Sequence, residues 1–238
     1  MGRGNIKKKI VINVLLIITF VVSLALYFAP PKMWIMKSNQ ERPYKVVKSE
    51  DINPTVADDT DQKEATFENV MEARKHQTNA VGKVIIPQAN VGISLPILQG
   101  IGYYNMLAGA GEQMPRSVVG PGGNGNYILA SHYTPWANIL FTNLGKTKVG
   151  SMVYVADTEN VYVYQVDNVV LTTISHREFL DQPEDKDTKM ITLYTCQYYG
   201  SPKRWVVQGK LVAKTPLNEI DTETKNAFAD WLSAIGKD

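Results

Sequence analysis

Cysteine is almost absent: Cys196 is the single one in 238 residues. An internal disulfide is therefore impossible, and the odd thiol is either a small buried hydrophobe or a reagent. Histidine is scarce too, with only His76, His132 and His176. Acidic residues are missing from residues 1–30, which hold Arg3, Lys7, Lys8 and Lys9. The remainder then carries 21 basic residues (25 − 4) against all 23 acidic ones. A body without surplus positive charge has little to offer a phosphate backbone, so nucleic acid is excluded as its partner. The chain also shows no internal repeat and no low-complexity segment.

One long uncharged apolar run is present, from Ile10 to Ala29. At 1.5 Å per residue it spans roughly 30 Å, the thickness of a bilayer core. Its basic flank lies N-terminal to it, which predicts a cytoplasmic N-terminus and an exported body after Pro30. A cleaved signal peptide is the rival, but its apolar region is usually shorter and no Ala-x-Ala site follows. An uncleaved anchor at the cell membrane is expected. An idle thiol on the exported side is prone to oxidation, which favours a working one.

The chain divides by composition. Residues 1–30 form a basic tip and transmembrane anchor, and 31–65 an extracellular linker. In that linker Pro30-Pro31 stops the membrane helix, and Glu50-Asp51, Pro54 and Asp58-Asp59-Thr60-Asp61 leave little to bury. A folded body is expected over 66–214 and a C-terminal helical extension over 215–238. Within the body, Thr66 is placed to cap a short helix whose face is Phe67, Val70, Met71 and Arg74. Then the pattern changes to short β-branched runs punctuated by Gly, Pro and Asn. They begin at Val84, Ile93, Tyr127, Met152, Val161, Met190 and Trp205 and predict at least seven strands of an all-β barrel or sandwich. Helical turns are expected near Tyr103–Leu107 and Trp136–Leu144. In the extension, Ala227, Phe228, Trp231, Leu232 and Ile235 share one helical face, Asp221 or Thr222 can cap it, and Gly236 can end it.

The chemistry concentrates around Ile191–Cys196. An apolar run delivers the thiol at its end, and Arg204 opens the next run, Trp205–Val212. In a tight antiparallel pair the two meet at one rim of the sheet, where a fixed cation favours thiolate. His132 directly follows the run Gly125–Ser131, a position that can present a base at the same rim. His76 and His176 read as solvated. Together the three make a coherent acyl-transfer set: thiolate nucleophile, imidazole acid and base, guanidinium for the oxyanion or the substrate backbone. A free thiol near about 8.5 and an imidazole near about 6.5 would both be mostly neutral at pH 7.

Thr192-Leu-Tyr-Thr-Cys196 resembles the TLxTC signature of sortases, with the arginine on the next strand and His132 at the family's histidine position. Phe141-Thr-Asn-Leu144, Gly82–Pro87, Leu95-Pro-Ile97 and Gly100 are similar to class A members, over roughly residues 66–214. The resemblance implies an all-β fold, an eight-stranded sortase-type β-barrel with short helices. It implies a cysteine transpeptidase that cuts LPxTG-type sorting signals of surface proteins between Thr and Gly. The acyl group is held as a thioester on Cys196 and passed to an amine of lipid II or peptidoglycan. Carried over by position, Cys196 is the nucleophile, His132 the general acid and base, Arg204 the oxyanion or positioning group, and Thr195 a substrate-placing residue.

No second span, no Asp-Pro-Trp-type lid and no long insertion between Leu171 and Lys189 argue against the pilus-polymerising class C and against class B. Some class A members bind calcium near their first strands, but Gly82–Gly100 contains no Asp or Glu. No metal and no cofactor is therefore expected, since calcium prefers several carboxylates. Rival readings are a hydrolytic cysteine peptidase with water as acceptor, a class A-like enzyme that attaches assembled pili, and a non-enzymatic binding domain with a buried structural cysteine. The identity of the anchored proteins and of the acceptor peptide depends on loop shapes that the sequence leaves open.

Overall fold

The computed structural model describes residues 3–28, 30–48, 65–76, 79–113 and 119–236. Its first element, α1 (Arg3–Phe28), carries the apolar run. Lys7–Tyr27 is long and apolar enough to cross a membrane, with mean hydropathy 2.7 and none of it buried.

Residues 31–46 differ from the expected spacer. Pro31–Glu41 is a helix, α2, with Pro31 at its first turn, where a missing N–H costs nothing. Met36 is fully buried in the main core. Asn39 donates from Nδ2 to the Val70 carbonyl at 3.1 Å, and Gln40 accepts from the Leu140 N–H at 2.7 Å. Next comes β1 (Lys45–Val46), a two-residue strand running parallel to the first long strand of the barrel. The acidic stretch from Glu50 to Asp61 lies outside the described residues.

Helix α3 (Phe67–Lys75) starts where predicted, with Thr66 Oγ1 accepting from the Asn69 N–H at 3.1 Å. Of the predicted face only Val70 is buried. Val70 and Ala73 are buried, whereas Phe67 and Met71 are exposed. α3 packs on α2, and that neighbour selects the face.

The barrel follows: β2 (Asn79–Ile86), β3 (Ile93–Gln99), β4 (Ala110–Glu112), β5 (Gly125–Ala130), β6 (Met152–Ala156), β7 (Asn160–Thr173), β8 (Lys189–Cys196) and β9 (Lys203–Pro216). Around the wall the order is β2-β3-β4-β5-β8-β9-β7-β6. Lys83↔Ala156 to Ile85↔Tyr154 then close the ring of eight between β2 and β6. Closure leaves the two-residue β1 as the open edge of the sheet among the described residues, too short to template aggregation. Seven strands were legible from their β-branched runs. The eighth, β4, is only Ala-Gly-Glu and carries no such signal.

Inside the ring, side chains such as Val84, Leu95, Leu129, Val153, Leu193 and Val207 are buried to 1% exposure or less and form one core. Between β3 and β4 the short helix α4 (Tyr103–Met106) forms where a turn was predicted. Residues 136–144 form turns, and Leu144–Lys146 is a single 3-10 turn.

The C-terminal extension is two short helices, α5 (Thr222–Ala227) and α6 (Ala229–Ala234). Asp221 caps the first, accepting from the Thr224 N–H at 2.7 Å. Phe228, at φ −104° and ψ 13°, breaks the expected single helix. Phe228, Trp231 and Leu232 pack on Ala80, Ile85, Ala156 and Val161 of the barrel's outer surface. Trp231 donates from Nε1 to the Asp157 carbonyl at 2.8 Å, and Lys83, itself buried, forms an ion pair with Asp230.

Candidate active site

Register builds the site. Cys196 ends β8, and its antiparallel partner on β9 is Arg204. On the other side β8 runs parallel to β5, with Ala130 opposite Tyr194. The Ser131 N–H prolongs that ladder onto the Tyr194 carbonyl at 3.4 Å. His132 is two residues beyond Ala130, as Cys196 is two beyond Tyr194. Side chains alternate along strands, so Ala130, His132, Tyr194, Cys196 and Arg204 share one face of three adjacent strands. That is the outer face, since Leu129 and Leu193 point into the core.

Over this face lies a cleft of about 530 Å³. Cys196, His132 and Arg204 all line it. One wall is Ile101 and Met106 from the α4 region, and the other is Ile174, Arg177, Phe179 and Leu180 from the β7–β8 connection. Phe179 leans on the Tyr194 ring with centroids 5.5 Å apart. Thr192 and Asn126 hold that connection in place: Asn126 donates to the Phe179 and Asp181 carbonyls at 3.0 and 3.1 Å, and Thr192 donates to Asn126 Oδ1 at 2.7 Å.

Thr195 stands one residue from the thiol and therefore faces the opposite way. It is buried, and its hydroxyl donates to the Ser131 carbonyl at 2.8 Å. It ties the strand carrying Cys196 to the strand leading into His132. Thr195 also lines the cleft beside Cys196. The Ser131 hydroxyl donates in turn to the Gly109 carbonyl at 2.7 Å.

His132 is held at its backbone, donating to the Met106 carbonyl and accepting from the Phe141 N–H, both at 3.3 Å. Its ring meets Tyr103 edge-on at 5.9 Å between centroids. Nε2 is shielded from solvent and makes no hydrogen bond within the protein. Burial, reinforced by the positive charge of Arg204, lowers the imidazole to about 4. Burial also raises the Cys196 thiol, and Arg204 partly offsets it. Both groups are therefore neutral at pH 7 in the resting state. Arg204 is buried, and its guanidinium donates to the Ser201 and Lys203 carbonyls at 2.6 and 3.1 Å, which fixes it at the rim. His176 is exposed, with Nδ1 2.8 Å from the Thr173 hydroxyl, and His76 stacks on Tyr104; neither lines the cleft.

The cleft walls were not legible in the sequence. The available signal was Phe179-Leu180, an apolar pair in a mostly polar connection. Among the described residues no group of three or more His, Cys, Asp or Glu side chains converges to hold a metal.

A family model described as "Sortase domain" matches residues 84–212. Sortase A of Streptococcus agalactiae serotype III (strain NEM316) is 28% identical over 93% of this chain and 92% of its own length. Sortase A of Bacillus anthracis is 34% identical over 60% of this chain and 65% of its own. Among solved structures, sortase A of Listeria monocytogenes superposes with a TM-score of 0.54 at 30% identity, covering 62% of this chain and 94% of that one.

Proposed function

The chain belongs to the sortase family, hence to the cysteine transpeptidases of that type, and from that premise we propose that it is anchored by α1 and cleaves LPxTG-type signals of surface proteins between Thr and Gly. The observation that carries this reading is the convergence of Cys196, His132 and Arg204 on one cleft. The cleft's apolar lining, with Ile101, Met106, Ala130, Ile174 and Leu180, suits the Leu-Pro end of such a signal.

The reaction divides into two acyl transfers. Sγ of Cys196 attacks the threonine carbonyl, and the thiol proton passes to the imidazole of His132. Arg204 meets the charge that develops on the carbonyl oxygen. When the C–N bond breaks, His132 returns the proton to the leaving glycine nitrogen, and the threonine stays as a thioester on Cys196. An amine of lipid II or peptidoglycan then attacks the thioester, His132 takes its proton, and the thiol is regenerated. A neutral thiol and a neutral imidazole suit this cycle, because the imidazole can accept a proton at the start. Thr195 keeps the two strands in register.

The test is intact mass of the full chain in detergent micelles, mixed with an LPxTG peptide and no amine. The expected product is an adduct ending at threonine, released by hydroxylamine and absent from Cys196→Ala. Cleavage without an adduct, unchanged by added amine, would establish a hydrolase instead. Activity is proposed to be independent of calcium, given the absence of carboxylates in residues 82–100. A several-fold rise in rate when calcium is returned to chelated enzyme would refute that.

A further inference from the structure

The connection between α1 and the barrel is too short for a spacer. From Phe28 to Pro31 the chain reaches at most about 10 Å even when fully extended. From Pro31 to Met36 it is helical, adding roughly 7 to 8 Å. Met36 is already in the barrel's core. The folded body thus lies within roughly 18 Å of the last residue of α1.

The end of the body nearest α1 also exposes large apolar side chains. α2 exposes Pro31, Trp34, Lys37 and Glu41, one helical face. α2 and α3 run side by side in the same direction, because Asn39 reaches the Val70 carbonyl and Arg42 the Arg74 carbonyl. Their first turns therefore lie at one end, the end where the chain arrives from α1. Trp34 in the first turn of α2 is 61% exposed, and Phe67 at the start of α3 is 53% exposed. Lys32 adds positive charge there, 5.9 Å from the ring centroid of Trp136 in the loop that follows His132.

Resting on the reading of α1 as a membrane anchor, we infer that the first turns of α2 and α3 form a seating surface for the bilayer that α1 crosses, with Trp34 and Phe67 entering the headgroup layer. Trp favours that layer because its ring is apolar and its N–H can stay wet, and lysines add attraction to anionic lipid. The lipid surface is the fitting occupant because the covalent anchor leaves this end no room to stand away from it. Seating also has a consequence for the reaction. α2 touches the loop after His132, through Lys32 on Trp136 and Gln40 on Leu140. The rim holding the imidazole is thereby held at a fixed, short distance from the membrane, where a lipid-linked amine acceptor resides.

The single cysteine makes the test clean. In a Cys196→Ala background of the full chain, Ile18→Cys, Trp34→Cys, Phe67→Cys and Val212→Cys each receive one nitroxide label. Trp34, Phe67 and Val212 are exposed, so their replacement leaves the core intact. The chains are placed in phosphatidylcholine–phosphatidylglycerol vesicles, and collision with a water-soluble nickel complex is compared with collision with oxygen. The expected result is a several-fold loss of nickel collision at 34 and 67 relative to 212, with 18 fully lipidic. If 18 is lipidic but 34 and 67 match 212, the seating surface is wrong and the anchor stands. If 18 is aqueous, anchor and seating surface both fall.

Discussion

At the scale of the residue, burial and charge oppose each other at Cys196 and reinforce each other at His132. Burial raises the thiol and lowers the imidazole, while Arg204 lowers both. Replacing Arg204 with methionine is expected to move the pH profile of Cys196 alkylation upward, because the charge favouring thiolate is gone. The catalytic rate should fall by roughly 10² to 10³-fold, as for loss of an oxyanion donor. Unchanged alkylation would remove Arg204 from the electrostatics of the thiol.

His132 also makes stability depend on pH. Its ordinary value of 6.5 in the unfolded chain drops to about 4 in the fold. The unfolded state then binds the proton more readily, so stability is whole above pH 6.5 and declines as pH falls toward 4. His132→Asn should flatten that part of a urea-midpoint against pH curve; an unaltered slope would place the titration elsewhere.

At the scale of the element, Gly145 shows how the 3-10 turn at Leu144–Lys146 supports the site. A Cβ there would sit 2.5 Å from the Trp205 ring. Trp205 is the neighbour of Arg204 and pairs with Thr195 across β8 and β9. Gly145→Ala is expected to shift Trp205, lower the melting temperature and reduce turnover together. A variant with wild-type melting and rate would show that the ring moves freely.

The C-terminal helices bury a second apolar cluster on the barrel wall and are not a detachable flap. Phe228 is 1% exposed against the outer wall of β2, β6 and β7. Phe228→Ala should cost about 3 to 5 kcal/mol of unfolding free energy, within the range for a buried Phe. A loss below about 1 kcal/mol in chemical denaturation would show a loosely docked element.

At the scale of the whole molecule, the barrel does not begin at α3. Met36 fills the main core, and Val70 and Ala73 are buried in that same core. A chain beginning at residue 66 should therefore melt several degrees below one beginning at residue 30, with the apolar site of Met36 opened to water. Equal melting temperatures would return α2 to the role of a passive tether.

Local pattern was sufficient for seven of the barrel strands, the Thr66 and Asp221 caps, the long apolar helix α1, and the placing of Cys196, His132 and Arg204 at strand ends. Alternation and capping are properties of neighbouring residues, so the sequence determines them directly. Tertiary structure decided what depends on distant partners. Ala110-Gly-Glu112 becomes a strand only because β3 and β5 flank it. Ala73 joins the predicted Val70 in facing inward, while Phe67 and Met71 stay exposed, because α2 lies there. Thr195 bonds to the Ser131 carbonyl because the parallel pairing of β5 with β8 brings residues 64 apart in sequence into contact. The upward shift of the thiol and the downward shift of the imidazole likewise exist only once burial has removed their water, an effect no linear motif contains.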